Sequence, residues 1–201
     1  PPAYLSGRGE LFAQVLLQAT KLVLKHGFSR ESAAILNGYQ VVLAGIGDYK
    51  GAYDIGKLSV ELSRNYGPSE WSCRIETLYT LYGHSWFRPH SELTALFQGA
   101  IEVGLQTGDL FYTAMTCAGV HLWAPDCTVG QMVEEGESMM PLVKQSKDTM
   151  SMAQLEIQTC FFKCMANKEV PTDLGEDART EDLLYENVLA VKLESAKAMF
   201  L

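Results

Sequence analysis

The sequence has few basic residues and no long apolar run. Of its 201 residues, 16 are Lys or Arg and 24 are Asp or Glu, so the formal net charge is −8 at pH 7. Phosphate groups are bound by clusters of Lys and Arg, so this balance argues against a nucleic-acid partner and an anionic membrane surface. No stretch approaches the roughly 20 consecutive apolar residues that a transmembrane helix needs. We therefore expect neither nucleic acid nor a membrane among the partners.

Signs of secretion are also missing. The five cysteines are an odd number without a regular spacing, which is typical of reduced thiols and indicates a cytoplasmic protein. The first residues, Pro1 to Tyr4, lack the charged and apolar regions of a signal peptide. Because the sequence does not begin with Met, we interpret residues 1–201 as a single helical-repeat domain cut from a longer polypeptide.

Strand patterns are weak throughout, whereas apolar residues recur at helical spacing. The first apolar face contains Phe12, Val15, Leu16, Ala19, Leu22 and Val23. Gly and Pro separate the apolar runs, as they do at helix ends. The pattern predicts an all-α fold, and the polar segment 167–179 predicts an exposed loop before the last helix. About nine helices are predicted, near 10–26, 29–46, 49–65, 69–84, 91–106, 109–123, 129–146, 149–166 and 180–199.

Turn residues recur with a period near 40. Gly27, Gly67, Gly108 and Lys147 begin equivalent turns, with spacings of 40, 41 and 39 residues. A small residue lies six positions after each turn and a large apolar residue lies fourteen positions after it. The small residues are Ala33, Cys73, Ala114 and Ala153, and the large ones are Val41, Leu81, Leu122 and Phe161. A two-helix period of this length predicts a solenoid of antiparallel helix hairpins, in which small residues let backbones approach and large ones fill the layers.

The Gly47-Asp48-Tyr49 segment could be a phosphate-binding glycine loop or a turn between helices. A phosphate loop follows a strand and has the pattern Gly-x-x-x-x-Gly-Lys-Ser/Thr, which is absent here. Gly47 instead suits a helix end, and Asp48 suits the cap of the next helix. We therefore predict a hairpin turn, and the spacing of Thr128 and Gln131 predicts a capping box at another helix start.

Two family resemblances accompany this pattern. The Gly-Asp-Tyr-x-x-Ala turn resembles the turn between helices of tetratricopeptide repeats, although the period is longer. The segment Leu81–Trp123 is similar to the helical region of large multidomain signalling ATPases, through Trp86-x-x-Pro89 and "AIEVGLQTGD" (Ala100–Asp109). In those proteins a Ser/Thr kinase-like domain, a P-loop ATPase and a helical solenoid precede a GAF domain and a histidine kinase or cyclase. The resemblance implies a tetratricopeptide-like scaffold, and the ATPase and kinase motifs themselves are not in this sequence.

Residue pairs with the spacing of metal ligands have a simpler interpretation. Cys117 and His121 lie one helical turn apart, as do Cys160 and Cys164. A structural zinc site needs four converging ligands, whereas small thiols near an apolar stripe commonly pack in a core. The acidic run at Glu134 and Glu135 looks solvated, without the burial that acid–base catalysis requires. We predict no catalytic residue, no metal and no cofactor.

Aromatic residues provide the candidate binding surface. They either fill the space between layers or line a groove that accepts a partner helix or peptide, because aromatic anchors dominate such contacts. The candidate groove residues are Tyr79, Tyr82, Trp86, Phe87, Tyr112 and Trp123.

Two functions follow as hypotheses. The first is a non-enzymatic scaffold in a signalling protein, which binds a protein or peptide or the neighbouring domains of its own chain. Exposed apolar faces at 1–26 and 180–201 could also make the chain a homodimer. The second is a small helical enzyme or a ligand- or metal-binding bundle, with a pocket near His84, Trp86, His90 and His121.

Overall fold

The computed structural model describes residues 9–120 and 127–167 together with Glu186, and all regular structure in this part of the chain is helical. The prediction of an all-α fold is therefore confirmed. The predicted helix 180–199, apart from helical Glu186, and the predicted loop beyond Asn167 lie outside the described residues, so the count of nine helices stays a prediction. The main helices are α1 (Gly9–His26), α2 (Arg30–Gly45), α3 (Tyr49–Tyr66), α4 (Ser72–Tyr79), α5 (Leu93–Thr107), α6 (Leu110–Val120), α7 (Val129–Ser146) and α8 (Thr149–Asn167).

Helix α4 does not end as a regular α-helix. It continues through a π-helical turn at Thr80–His84 and one further α-turn at Ser85–Phe87. A short 3₁₀ turn at His90–Glu92 then leads into α5. None of the helices described has both the length and the apolar content that crossing a bilayer demands.

The chain forms two compact units, residues 1–113 and 114–201. In the first unit α2 packs most extensively against α3, and α1, α4 and α5 each contact their neighbours along the chain. In the second unit α7 packs against α8. Links between consecutive helices are as short as three residues, which makes such helices antiparallel neighbours. Stacking of these hairpins into a solenoid stays a prediction.

The predicted turn positions have the left-handed backbone conformation that ends helices. The φ angles are 92° at Gly27, 81° at Gly67, 76° at Gly108 and 57° at Lys147, and Gly47 also has a positive φ of 85°. Glycine adopts this conformation without the steric cost of a β-carbon, which is why it commonly follows a helix. The turn register predicted from the sequence is confirmed at all of these positions.

The two residue classes predicted within the repeat differ in outcome. The small residues Ala33, Cys73, Ala114 and Ala153 are all at least 97% buried. The large residues are less uniform: Val41 is buried and Leu81 is half-buried, whereas Phe161 is 42% exposed. A core role for Phe161 was therefore wrong, since its face of α8 is turned toward solvent, and Leu122 lies outside the described residues.

The segment after α2 is a capped helix turn, as predicted. Asp48 accepts a hydrogen bond from the backbone N–H of Gly51 at 2.9 Å through Oδ1, and α2 precedes it where a phosphate loop has a strand. Asp109 caps the next copy by accepting from Tyr112 N–H at 3.1 Å. The predicted capping box of α7 is also confirmed, because Thr128 and Gln131 each accept from the other's backbone N–H.

Buried amides connect α2 with α4. Asn37 and Gln40 are completely buried. Asn37 donates from Nδ2 to the carbonyl of Ile75 at 3.0 Å, and Gln40 donates from Nε2 to the carbonyl of Leu78 at 2.8 Å. Gly56 of α3 makes room for Gln40, since a β-carbon at that position would overlap its side-chain oxygen. These bonds hold α4 just before its π-turn.

Candidate functional site

Two stacked pairs of aromatic rings lie where α3 begins and α4 ends. The ring centroids of Tyr49 and Trp86 are 4.4 Å apart with 21° between the planes. Those of Tyr53 and Phe87 are 5.4 Å apart with 22° between the planes. Trp86 is 56% exposed, Phe87 48% and Tyr49 38%. We call these four residues the aromatic shelf.

The π-turn of α4 orients one half of the aromatic shelf. A π-turn contains an extra residue, so every side chain after it is rotated by about 100° relative to a continuous α-helix. In a continuous helix, Trp86 and Phe87 would therefore point away from their present partners. Tyr49 and Tyr53 are one turn apart on α3 and share a face. The rotated end of α4 thus meets two rings that α3 already holds side by side.

The sequence of α4 contains a signal for this irregularity. The hydroxyls of Thr77, Thr80 and Ser85 each donate to the carbonyl four residues earlier, at 2.8, 2.8 and 2.6 Å. Such bonds compete with the regular ladder and bend helices. Gly83 lies within the π-turn, where its missing side chain leaves room for Tyr79 and Gln40.

A charged cluster supports the aromatic shelf from below. His84, the last residue of the π-turn, is 7% exposed, and its Nε2 lies 2.9 Å from Oε2 of Glu92. Arg88 donates to both carboxylate oxygens of Glu92, at 3.0 and 3.4 Å. Burial lowers the pKa of His84, and the Glu92 carboxylate opposes that shift. The cluster fixes the segment that joins α4 to α5.

Tyr79 links this cluster to the shelf. Its hydroxyl lies 3.5 Å from Nδ1 of His84, and its ring is 6.1 Å from that of Tyr53. Burial raises the pKa of Tyr79 well above the usual value for a phenol, and the neighbouring Tyr53 raises it further. Tyr79 is therefore a neutral hydrogen-bonding residue of the core at physiological pH.

A cleft of about 220 Å³ opens beside this core. His84, Tyr79 and Thr80 contribute its buried polar atoms, and Val60 and Leu96 contribute apolar surface. Its rim carries charges of both signs, from Lys57, Glu61, Arg64 and Glu76. Arg64 and Glu76 form an ion pair at 3.1 Å, so part of this charge is neutralised within the protein.

The structure divides the six residues predicted to line a groove. Trp86 and Phe87 are exposed, whereas Tyr79 is buried and Tyr82 is half-buried against the apolar cluster of Leu43, Ala44 and Ala52. Half-buried Tyr112 lies beside the buried Arg74, whose guanidinium is 5.8 Å from the centre of its ring. Trp123 lies outside the described residues. Tyr49 and Tyr53, which complete the aromatic shelf, were missed as groove residues.

The residues of the predicted pocket are placed differently from one another. His84 lines the cleft, whereas Trp86 and His90 are exposed and do not line it. His121 lies outside the described residues. Across the part of the chain that the structure describes, no three His, Cys, Asp or Glu side chains converge as a metal site would need.

The other candidate ligands and acids have structural surroundings. Cys117 is completely buried, and Cys160 and Cys164 are half-buried free thiols. In the acidic run of α7, Glu134 is exposed and Glu135 is half-buried, and the nearby Glu137 pairs with Lys163 of α8 at 2.9 Å.

No protein-family model, curated protein or solved structure matches this chain significantly. The resemblances to tetratricopeptide repeats and to signalling ATPases therefore stay predictions. The geometry of the aromatic shelf and the cleft carries the functional interpretation.

Proposed function

We propose that this chain is a non-catalytic helical-repeat scaffold that binds a protein or peptide partner through the aromatic shelf. The single observation that carries the proposal is the exposure of rings that are already stacked, with Trp86 more than half exposed. Exposed large apolar side chains that occur together commonly mark interaction surfaces. Trp and Tyr are also the residues most enriched among those that dominate binding energy.

The stacking supports a binding role as well as the exposure does. A side chain that is ordered before binding loses less rotational freedom when the partner arrives. Each shelf ring on α4 is held by a partner ring on α3, and the segment behind them is fixed by the bonds between Arg88 and Glu92. The shelf therefore presents a preorganised surface of aromatic faces.

The setting of this scaffold is proposed on other grounds. We place it in a signal-transduction protein because of the resemblance to helical regions of signalling ATPases. We place it in the cytoplasm because all five cysteines are free thiols, as is usual in a reducing compartment. The same resemblance makes neighbouring domains of a longer chain an alternative partner to a separate protein.

A random-peptide display library panned on the purified chain tests the proposal. Peptides that bind are synthesised with a fluorophore, and their Kd is measured by anisotropy against the wild type and two variants. Trp86→Ala should raise the Kd about tenfold or more, as expected for an aromatic residue at the centre of a contact. Trp71→Ala is the matched control, because Trp71 is 37% exposed but is not part of the shelf.

Two results would overturn the scaffold proposal. The first is a set of selected peptides whose Kd is unchanged by Trp86→Ala. The second is equal weakening by Trp71→Ala, which would place the contact elsewhere on the surface. Far-UV circular dichroism of each variant establishes that the fold is intact before binding is compared.

A second candidate function is a small-molecule site in the cleft beside His84. It is favoured by one observation: Nε2 of this buried histidine is close to Glu92 but makes no well-aligned hydrogen bond. A fragment library screened by thermal shift tests this candidate. Fragments that stabilise the wild type should not stabilise His84→Ala, and fragments that stabilise both equally would contradict a site in this cleft.

A further inference from the structure

Helix α1 has a second apolar stripe beside its buried face. Phe12, Leu16 and Val23 are buried. Leu11, Val15 and Leu22 were predicted or expected to share that apolar side, but they are 39%, 58% and 58% exposed. Positions 11, 15 and 22 are four and seven residues apart, so they form one row along the helix. We call this row the α1 stripe.

The repeat shows what kind of surface the α1 stripe is. Val15 and Leu22 lie 40 residues before Ile55 and Leu62 of α3, which is the spacing between the turns at Gly27 and Gly67. Ile55 packs against a cluster that includes Leu43 and Ala44 of α2. Leu62 packs against a cluster that includes Ala33 of α2. In α3 these positions therefore contact the antiparallel hairpin partner.

By this equivalence the α1 stripe suits an antiparallel helix with an apolar row of its own. The buried face of α1 is already occupied, since α1 contacts α2 and Leu16 fills the space beside Gly38. Within the described residues, the stripe itself stays exposed.

We infer that the α1 stripe binds the α1 stripe of a second copy of this chain, with the two helices antiparallel. The row is self-complementary in this orientation: Leu11 of each copy lies opposite Leu22 of the other, and Val15 lies opposite Gln18. The spacing of four and three residues between 11, 15, 18 and 22 is that of a two-helix seam.

Charge favours the antiparallel orientation. The first turn of α1 carries Glu10, and its last turn carries Lys25 and His26. An antiparallel pair places the acidic first turn of each copy beside the basic last turn of the other. A parallel pair would place like charges together at both ends. This arrangement is independent of the aromatic shelf, so it can fail without affecting the proposed function.

Sedimentation equilibrium of the purified chain over a range of concentrations tests the inference. We expect a reversible dimer, whose Kd rises about tenfold or more in Val15→Glu because a charge would be buried in the seam. Leu24→Glu is the matched control, since Leu24 is on the same helix and 73% exposed but lies on the opposite side from the stripe. Its Kd should equal that of the wild type.

The orientation is tested by exchanging charges. Glu10→Lys and Lys25→Glu should each weaken the dimer, and the double variant should restore the wild-type Kd only if the helices are antiparallel. Leu22→Gln is a second stripe variant in case Val15→Glu reduces helix content by circular dichroism. A chain that is monomeric at all concentrations, a dimer insensitive to both stripe variants, or equal weakening by Leu24→Glu would overturn the inference.

Discussion

Replacing Gly56 with alanine tests whether the close approach of α2, α3 and α4 stabilises the first unit. A β-carbon at this position would overlap the side-chain oxygen of Gln40 and would lie 2.7 Å from Cδ2 of Tyr79. Both side chains are held in place, since Gln40 is completely buried and bonded to Leu78 and Tyr79 is buried. The added methyl group must therefore break the amide bond or separate the helices.

The expected loss can be worked out from these contacts. Overpacking of a tight core costs about 1–3 kcal/mol. Loss of the hydrogen bond from Gln40 leaves the buried Leu78 carbonyl without this donor, at a cost of about 1–3 kcal/mol. The better helix propensity of alanine returns roughly 1 kcal/mol. We expect Gly56→Ala to lower the free energy of unfolding by about 3 kcal/mol, the middle of the resulting range.

Gly99→Ala is the matched control for this variant. Gly99 lies inside α5, and a β-carbon there would have no atom within 4 Å. Only helix propensity then changes, so the free energy of unfolding should rise by about 0.5–1 kcal/mol. Urea unfolding followed by circular dichroism measures both variants. Shifts of the same sign in the two variants, or a change below about 0.5 kcal/mol in Gly56→Ala, would refute the packing argument.

Three further predictions concern the turns and the histidine. Lys147 has a φ of 57°, which costs a residue with a β-carbon about 1 kcal/mol, so Lys147→Gly should raise the melting temperature; no increase would contradict this. Thr128→Ala removes the capping box of α7 and should lower the free energy of unfolding by about 1 kcal/mol, whereas Thr128→Ser should retain most of it. Burial lowers the pKa of His84, so as the pH falls below about 6.5 the unfolded state binds a proton first and stability decreases. His84→Gln should flatten this decrease in urea titrations, and unchanged pH dependence would show that His84 does not cause it.

The turn positions could be predicted because their cause is local. A glycine that follows an apolar helical run has few other uses, and Gly27, Gly67 and Gly108 all adopt positive φ. Lys147 is more informative, since its composition gives no turn signal. Only the period of about 40 residues identified it, and its backbone has the same left-handed conformation. Periodicity therefore predicted a conformation that residue preference disfavours.

The direction of each helix face could not be predicted in the same way. Periodicity groups residues on a face, but which side is covered depends on neighbours that are distant in sequence. Val15 and Leu22 were grouped with Phe12 and Leu16, yet only the second pair is buried. Phe161 was assigned to the core by its place in the repeat and is 42% exposed.

The aromatic shelf escaped prediction for a different reason. A helical wheel assumes a constant rotation of about 100° per residue. The π-turn at Thr80–His84 breaks this assumption and changes the direction of every side chain after it. Trp86 and Phe87 were selected for their residue type alone, whereas Tyr49 and Tyr53 were assigned to the turn and to a helix face.

The polar core and the aromatic shelf are connected through the register of α4. Asn37 and Gln40 are three residues apart on α2, and their acceptors Ile75 and Leu78 are three residues apart on α4. A slip of one residue along α4 would break both bonds at once and leave buried amides unpaired, which is costly. The apolar contacts of a helix pair tolerate such a slip far better, because they are not directional. The buried amides thereby fix the distance along α4 to its π-turn, and hence the positions at which the rings of the shelf can meet.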